Sequence, residues 1–229
     1  MRDTTLNAVA VVIFAVTMAS LLGPLVSLSP AVVAVFVAMG LVIFSLDQLG
    51  LEGRIGNIAM DALAWAAPDH RQRVLHHEAG HFLAAVLLEI PVEAYTLNSW
   101  EAWRQGLPGQ GGVRFGPSDP ATVGQDRFSP QSIDRYCQVW MAGIAAEQLI
   151  YGDAEGGDDD NRALGRFWTA LGRSPSEVAL KQRWATLQAK TLLEKHRDAF
   201  DALVIAMGDR TPVETCCDII AQHRPTVDH

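Results

Sequence analysis

Two histidines, His77 and His81, stand four residues apart within residues 74–84, and Glu78 directly follows the first. Residues at positions i and i+4 lie on one face of a helix, so these imidazoles could bind a single tetrahedral zinc ion. Glu78 would lie on the neighbouring flank, where it could take a proton from water that attacks a zinc-polarised peptide carbonyl. The H-E-x-x-H pattern therefore predicts zinc-dependent peptide hydrolysis, against the simpler interpretation of a helix with two histidines and no metal. His76 is expected to face elsewhere.

A catalytic zinc ion normally takes a third protein ligand and leaves one position to water. The downstream carboxylates that could supply it are Glu147 and the cluster Asp158, Asp159 and Asp160. Spacing does not choose between them, and an aspartate cluster also suits the start of a helix, where it complements the helix dipole. Gly80 costs a helix about 1 kcal/mol relative to alanine, which predicts a close approach there of metal, substrate or another helix.

The N-terminal part of the chain has no charged residue from position 4 to position 46. It contains two apolar runs, each long enough to cross about 30 Å of hydrocarbon, joined by a turn at residues 23–30. Residues 1–48 are therefore predicted to form a transmembrane helical hairpin, with a cleaved signal peptide over the first run as the alternative. Arg2 and later arginines place both termini and the following domain on the cytoplasmic (or stromal) side.

The remainder divides into an amphipathic linker or interfacial helix at residues 49–68 and a soluble domain at residues 69–229. A helix of the soluble core is the alternative for the linker. The pattern predicts a mainly α domain with helices at 71–89, 130–151, 159–172, 175–207 and 212–223. Three of these starts carry a capping hydroxyl before proline, at Ser129, Ser174 and Thr211. The segments VEAYTLNSW and GGVRF predict a small β hairpin.

Composition limits the classes of function that the chain can have. The formal net charge is −8 and no basic patch occurs after residue 50, which argues against nucleic acid as a partner. The three cysteines, Cys137, Cys216 and Cys217, show no spacing typical of a disulfide framework, so a reducing compartment is expected.

Three segments together resemble the FtsH-type zinc metallopeptidases, the M41 peptidase family. HHEAGHFLAA resembles the HEAGH signature of that family, MAGIAAEQLIYG resembles its second conserved helix, and GGDDDNRAL resembles the segment with its third zinc ligand. The resemblance spans residues 70–225 and implies a helical zinc-protease domain. The chain has no G-x-x-x-x-G-K-[ST] phosphate loop, so it is similar to small membrane-anchored forms that lack the ATPase module.

Position by position, the resemblance implies that His77 and His81 bind zinc and that Glu78 is the catalytic base. Asp159 matches the ligand aspartate, although aspartates on both sides leave the register open by one residue. Glu147 matches a family position that would lie behind the ligands.

The expected function is a membrane-anchored zinc endopeptidase that cuts unfolded or membrane-presented polypeptides without ATP, with help from a delivery or ATPase partner. The edge of the VEAYTLNSW strand is a candidate for pairing with substrate, and Trp100 and Trp103 could line that groove or serve as ordinary aromatics. The alternative function is a non-proteolytic membrane scaffold or assembly factor. An intramembrane protease is disfavoured, because the helix with His81 is too short and too polar at its ends to span a bilayer.

Overall fold

The computed structural model describes residues 2–50, 56, 67–106, 111–116 and 129–224. Helices dominate this part of the chain and one two-stranded antiparallel sheet accompanies them, which confirms the mainly helical class. The helices are α1 (Arg2–Leu22), α2 (Pro30–Gly50), α3 (Pro68–Leu87), α4 (Ser99–Arg104), α5 (Pro130–Tyr151), α6 (Asp158–Ala170), α7 (Val178–Lys195), α8 (Arg197–Gly208) and α9 (Val213–Gln222). The strands are β1 (Val92–Thr96) and β2 (Gly112–Phe115).

Among the described residues, α2 alone is both long and apolar enough to cross a membrane. Only 11% of its most apolar stretch is buried against the rest of the protein, so α2 is not a helix of the folded core. The other predicted span contains a shorter apolar helical stretch, Val9–Leu25. The predicted linker or interfacial helix at residues 49–68 lies almost entirely outside the described residues.

The centre of the folded part is the contact between α3 and α5. A methyl group at Gly80 would lie 2.5 Å from the Ala142 carbonyl oxygen and 2.8 Å from Ala146 Cβ. Only a glycine allows the two helices to approach this closely, so another helix accounts for the costly glycine in α3. Large buried side chains such as Phe82 and Met141 complete the core on both sides of this contact.

The sheet pairs β1 with β2 in antiparallel register, with Ala94 opposite Arg114 and Thr96 opposite Gly112. The predicted strand character is confirmed for VEAYT and GVRF, but the last residues of VEAYTLNSW belong to α4. Asn98 caps this helix by accepting a hydrogen bond from the Glu101 amide at 2.8 Å, and Glu101 accepts one in return from the Leu97 amide at 2.8 Å. This reciprocal cap favours a helical turn over a longer strand.

Two other predicted features of the helices are wrong. The single helix expected at 175–207 begins with a 3₁₀ turn, Pro175–Glu177, and is then divided between α7 and α8 at His196, whose ψ of 37° leaves the helical range. Thr211 does not cap α9 with its side chain, and its carbonyl oxygen instead accepts a hydrogen bond from Tyr95 at 2.7 Å. Ser129 does cap α5, by accepting from the Ser132 amide at 3.1 Å.

Candidate metal centre

Helix α3 places both histidines and Glu78 in the interior of the domain. The His77 and His81 rings lie 4.7 Å apart between centroids, one helical turn from each other. Their side chains are 12% and 7% exposed. The helix ends soon afterwards at Leu88, where Glu89 takes a left-handed conformation with φ 61°.

The third candidate ligand is Asp160, from the first turn of α6. Its Oδ2 lies 3.0 Å from His77 Nε2, and its Oδ1 lies 3.5 Å from His81 Nε2. One potential ligand atom from each of these three side chains lies within 4.8 Å of the others. This geometry could hold one metal ion with two nitrogen donors and one oxygen donor.

Asp159, the residue that the resemblance implies, does not reach the histidines. Its side chain is 85% exposed and forms an ion pair with Arg162 on the next turn. Consecutive residues of a helix point about 100° apart, so Asp160 can face the site while Asp159 faces solvent. The geometry therefore favours Asp160 over Asp159 as the third candidate ligand.

A glycine turn delivers Asp160 to the site. Gly157, the residue before α6, has φ 95°, a left-handed conformation that suits glycine. A methyl group at this position would also lie 2.2 Å from Ile144 Cγ1 on α5. Glycine at this position lets the turn pack closely against α5. The turn sets the rotation of α6 about its axis, so that Asp160 points into the site.

Both imidazoles are held through their Nδ1 atoms. His77 Nδ1 lies 2.7 Å from Glu147 Oε1, and His81 Nδ1 lies 2.7 Å from the carbonyl oxygen of Val139. Hydrogen bonds of this kind favour a proton on Nδ1 and leave Nε2 to accept a metal. A methyl group at Gly143 would lie 2.3 Å from His77 Nε2 and 2.5 Å from His81 Nε2, so this glycine leaves room for both rings.

Glu147 is itself fixed by several donors on its buried side of the site. It accepts hydrogen bonds from the Glu155 and Gly156 amides at 2.9 and 3.2 Å, and from Arg73 at 3.3 Å. Burial opposes its charge, but the hydrogen bond with His77 and those from the backbone outweigh burial and lower the Glu147 pKa. Glu147 thus lies behind His77, as expected, and orients that imidazole.

Arg73 contacts several residues behind the site, and the sequence did not predict these contacts. Its guanidinium contacts Glu147, lies 2.9 Å from Asp153 and 3.5 Å from Glu155, and stacks 4.4 Å from the centre of the Tyr151 ring. Arg73 precedes His77 by one helical turn, and this spacing could have indicated that Arg73 lies on the same face of α3 as the histidines. His76 faces away from the site, and its Nδ1 contacts Tyr151 and the Gln72 carbonyl.

Glu78 is buried beside the two histidines, next to strand β2. Its Oε2 has no hydrogen-bond partner within the part of the chain that the structure describes, and Gly112 of β2 lies close to that atom. Burial raises the Glu78 pKa, although the neighbouring His81 and His77 oppose the shift. A buried carboxylate oxygen without a partner is unfavourable, so a hydrogen-bond donor from water or a ligand would be favoured at this position.

The charges of the ligand set are strongly coupled without a metal. Burial would lower the His77 pKa, but hydrogen bonds to Asp160 and Glu147 raise it to about 10. The Asp160 pKa is lowered, because the nearby His81 and His77 outweigh the effect of burial. Asp160 and Glu147 therefore favour the protonated form of the His77 imidazole.

No protein-family model matches the chain, and no curated protein matches it either. The resemblance to the FtsH-type metallopeptidases therefore rests on the three segments and remains a prediction.

Proposed function

We propose that the protein is a membrane-anchored zinc-dependent endopeptidase. The observation that carries this proposal is the convergence of His77 Nε2, His81 Nε2 and the Asp160 carboxylate beside the buried, unpartnered oxygen of Glu78. Two imidazoles, one carboxylate and a second carboxylate with an oxygen left open are the components of a hydrolytic zinc site.

The donor set fits zinc by its chemistry. The nitrogen and oxygen ligand atoms suit a tetrahedral ion with three protein ligands. The hydrogen bonds that His77 and His81 donate from Nδ1 to Glu147 and to the Val139 carbonyl hold the rings with Nε2 toward the site. His77, His81 and Asp160 would hold the ion. When bound, zinc supplies a Lewis acid that polarises a carbonyl group and makes water more acidic.

Glu78 would perform the proton transfers. Its raised pKa makes its carboxylate a better base than an exposed glutamate, and its free oxygen can accept a proton from the attacking water. The same carboxyl group can then donate the proton to the leaving amine. Because Glu78 is buried among the ligands, its geometry depends on α3 and not on a flexible loop.

The substrate would be an extended polypeptide. Strand β2 lies beside Glu78, since a methyl group at Gly112 would be 3.9 Å from the Glu78 Oε2 atom. This makes β2 a better candidate than β1 for main-chain pairing with substrate, and such pairing binds unfolded chains with little demand on sequence. Trp100 and Trp103 stack at 4.9 Å and are each 51% exposed, so they are available to contact a bound polypeptide.

The membrane anchor would be the hairpin of α1 and α2, with the domain at 69–229 and both termini on the cytoplasmic (or stromal) side. The exposed apolar side chains of α2 support this assignment, because lipid would cover them. The enzyme would act on flexible or membrane-presented segments, or on chains delivered by an ATPase partner.

Purified full-length protein in lipid nanodiscs provides the test. We expect zinc-loaded native protein to cleave casein and Glu78→Gln to be at least about 100-fold slower. Asp160→Asn should lose zinc, whereas Asp159→Asn, which removes the same charge one residue earlier, should retain it. Equal cleavage by native protein and Glu78→Gln would refute the protease proposal. Retained zinc without turnover of any unfolded substrate would support the scaffold alternative.

A further inference from the structure

A pocket of about 540 Å³ lies between α5, α6 and α7. It shares two helices with the candidate metal centre: Asn161 follows the candidate ligand Asp160 on α6, and Ile144 follows Gly143 on α5. Its polar lining consists of Gln148, Asn161, Gln182, Arg183, Thr186 and Lys190.

No acidic residue is among the described residues that line the pocket, and three apolar residues complete the lining: Ile144, Ala179 and Leu187. Gln182 and Thr186 already donate to backbone carbonyls, at 3.1 and 2.9 Å. Arg183 and Lys190 take part in no ion pair within the described ranges, and the Gln148 and Asn161 side chains have no hydrogen-bond partner there. Lys181, on the same helix, differs because it pairs with Asp134 and lies 3.7 Å from the centre of the Trp184 ring. Lys195, at the end of α7, also has no ion pair among the described residues but lies outside the pocket, so the pocket is distinguished by the grouping of its free donors.

We infer that this pocket binds a carboxylate group of the polypeptide substrate, which gives the enzyme a preference for acidic segments. The inference rests on the proposed function, because that function supplies a polypeptide next to the pocket. A guanidinium, an ammonium group and amide N–H groups all donate, and a carboxylate accepts several such bonds at once. The chain carries a net charge of −8, which would repel acidic segments from most of its surface. The two cations of the pocket would instead attract them locally.

The variant Arg183→Gln with Lys190→Gln removes both cations from the pocket. The matched control is Arg166→Gln with Arg173→Gln, which removes two exposed positive charges outside it. Each pair is made in the full-length chain with Glu78→Gln to prevent cleavage, in nanodiscs of zwitterionic phosphatidylcholine. Binding is measured by fluorescence anisotropy with three labelled peptides: one with aspartates and glutamates and an amidated end, its neutral amide counterpart, and the neutral peptide with a free terminal carboxylate.

We expect the acidic peptide to bind more tightly than the neutral amide, and the pocket variant to weaken that binding about tenfold. The control pair should change it less than twofold. Tighter binding of the free-carboxylate peptide would identify the chain end as the preferred source of the carboxylate. Equal losses in both variants, or no preference for acidic peptides, would overturn the inference. Displacement of the acidic peptide by inorganic phosphate at lower concentration than by free glutamate would also overturn it.

Cleavage of casein by the native chain separates this result from the proposed function. Selective binding of acidic peptides without cleavage that depends on Glu78 would refute the protease alone. Cleavage without selective binding would refute the carboxylate pocket alone.

Discussion

Replacement of Gly143 by alanine tests the geometry of the metal centre with a single methyl group. The added carbon would lie 2.3 Å from His77 Nε2 and 2.5 Å from His81 Nε2, where ordinary contacts are about 3.5 Å. The rings would have to move by about 1 Å, but metal–ligand distances tolerate only about 0.2 Å. We therefore expect zinc affinity to fall at least about 100-fold.

Gly143→Ala should lower the free energy of unfolding by less than it lowers the free energy of zinc binding. Displacement of the rings strains two hydrogen bonds, to Glu147 and Val139, each worth about 1 kcal/mol. Alanine has a higher helix propensity than glycine, which stabilises α5 by up to about 1 kcal/mol and offsets part of this loss. The free energy of unfolding should thus fall by about 1 kcal/mol, which corresponds to a few degrees in Tm.

Zinc affinity is measured by competition with a chromogenic chelator, and stability is measured by thermal unfolding of the metal-free protein. Gly165→Ala is the control, because Gly165 also lies inside a helix but its added methyl would be 3.7 Å from the nearest atom, Val178 Cγ1. This control should keep native zinc affinity and gain up to about 1 kcal/mol in stability. Zinc affinity within threefold of native in Gly143→Ala would show that the histidines do not converge beside this glycine.

Two other predictions concern the groups around His77. Glu147→Gln should lower zinc affinity about 10- to 100-fold, because the amide cannot accept from His77 and from the Glu155 and Gly156 backbone as a carboxylate does. Competition titration checks this, with Glu194→Gln at an exposed position of α7 as the control. The His77 pKa of about 10 means that its imidazole is protonated in metal-free protein at pH 7.5. The His81 pKa is raised as well, so zinc binding should release at least one proton and strengthen by at least about tenfold per pH unit below about pH 10. Calorimetry in two buffers of different ionisation enthalpy would detect the release, and binding without it would contradict the prediction.

The parts of the site that follow from local periodicity could be predicted from the sequence. His77 and His81 needed only the helical repeat of α3, and the cost of Gly80 predicted a close contact, which α5 provides. The third ligand could not be fixed in this way. The phase of α6 depends on the left-handed turn at Gly157 and its contact with Ile144, and neither is visible in a run of three aspartates.

Features that depend on distant segments were also missed. Arg73 meets Asp153 and Glu155, about eighty residues later, and only the packing of α3 against α5 brings them together. No proline or glycine lies near His196 to indicate the division, so the helical pattern in the sequence is continuous across it. The start of α4 was predictable, because Asn98 and Glu101 have the spacing of a capping box.

The hydrogen bonds that His77 and His81 form through Nδ1 have a consequence for how the proposed metal centre would gain and lose an ion. Because Glu147 and Val139 belong to a helix buried in the core, the rings keep their orientation whether or not the position between them is filled. Stripping with a chelator should leave the domain folded, and adding the ion back should restore the holo form without refolding. Supply of the metal in the cell could then set the fraction of working molecules within their lifetime.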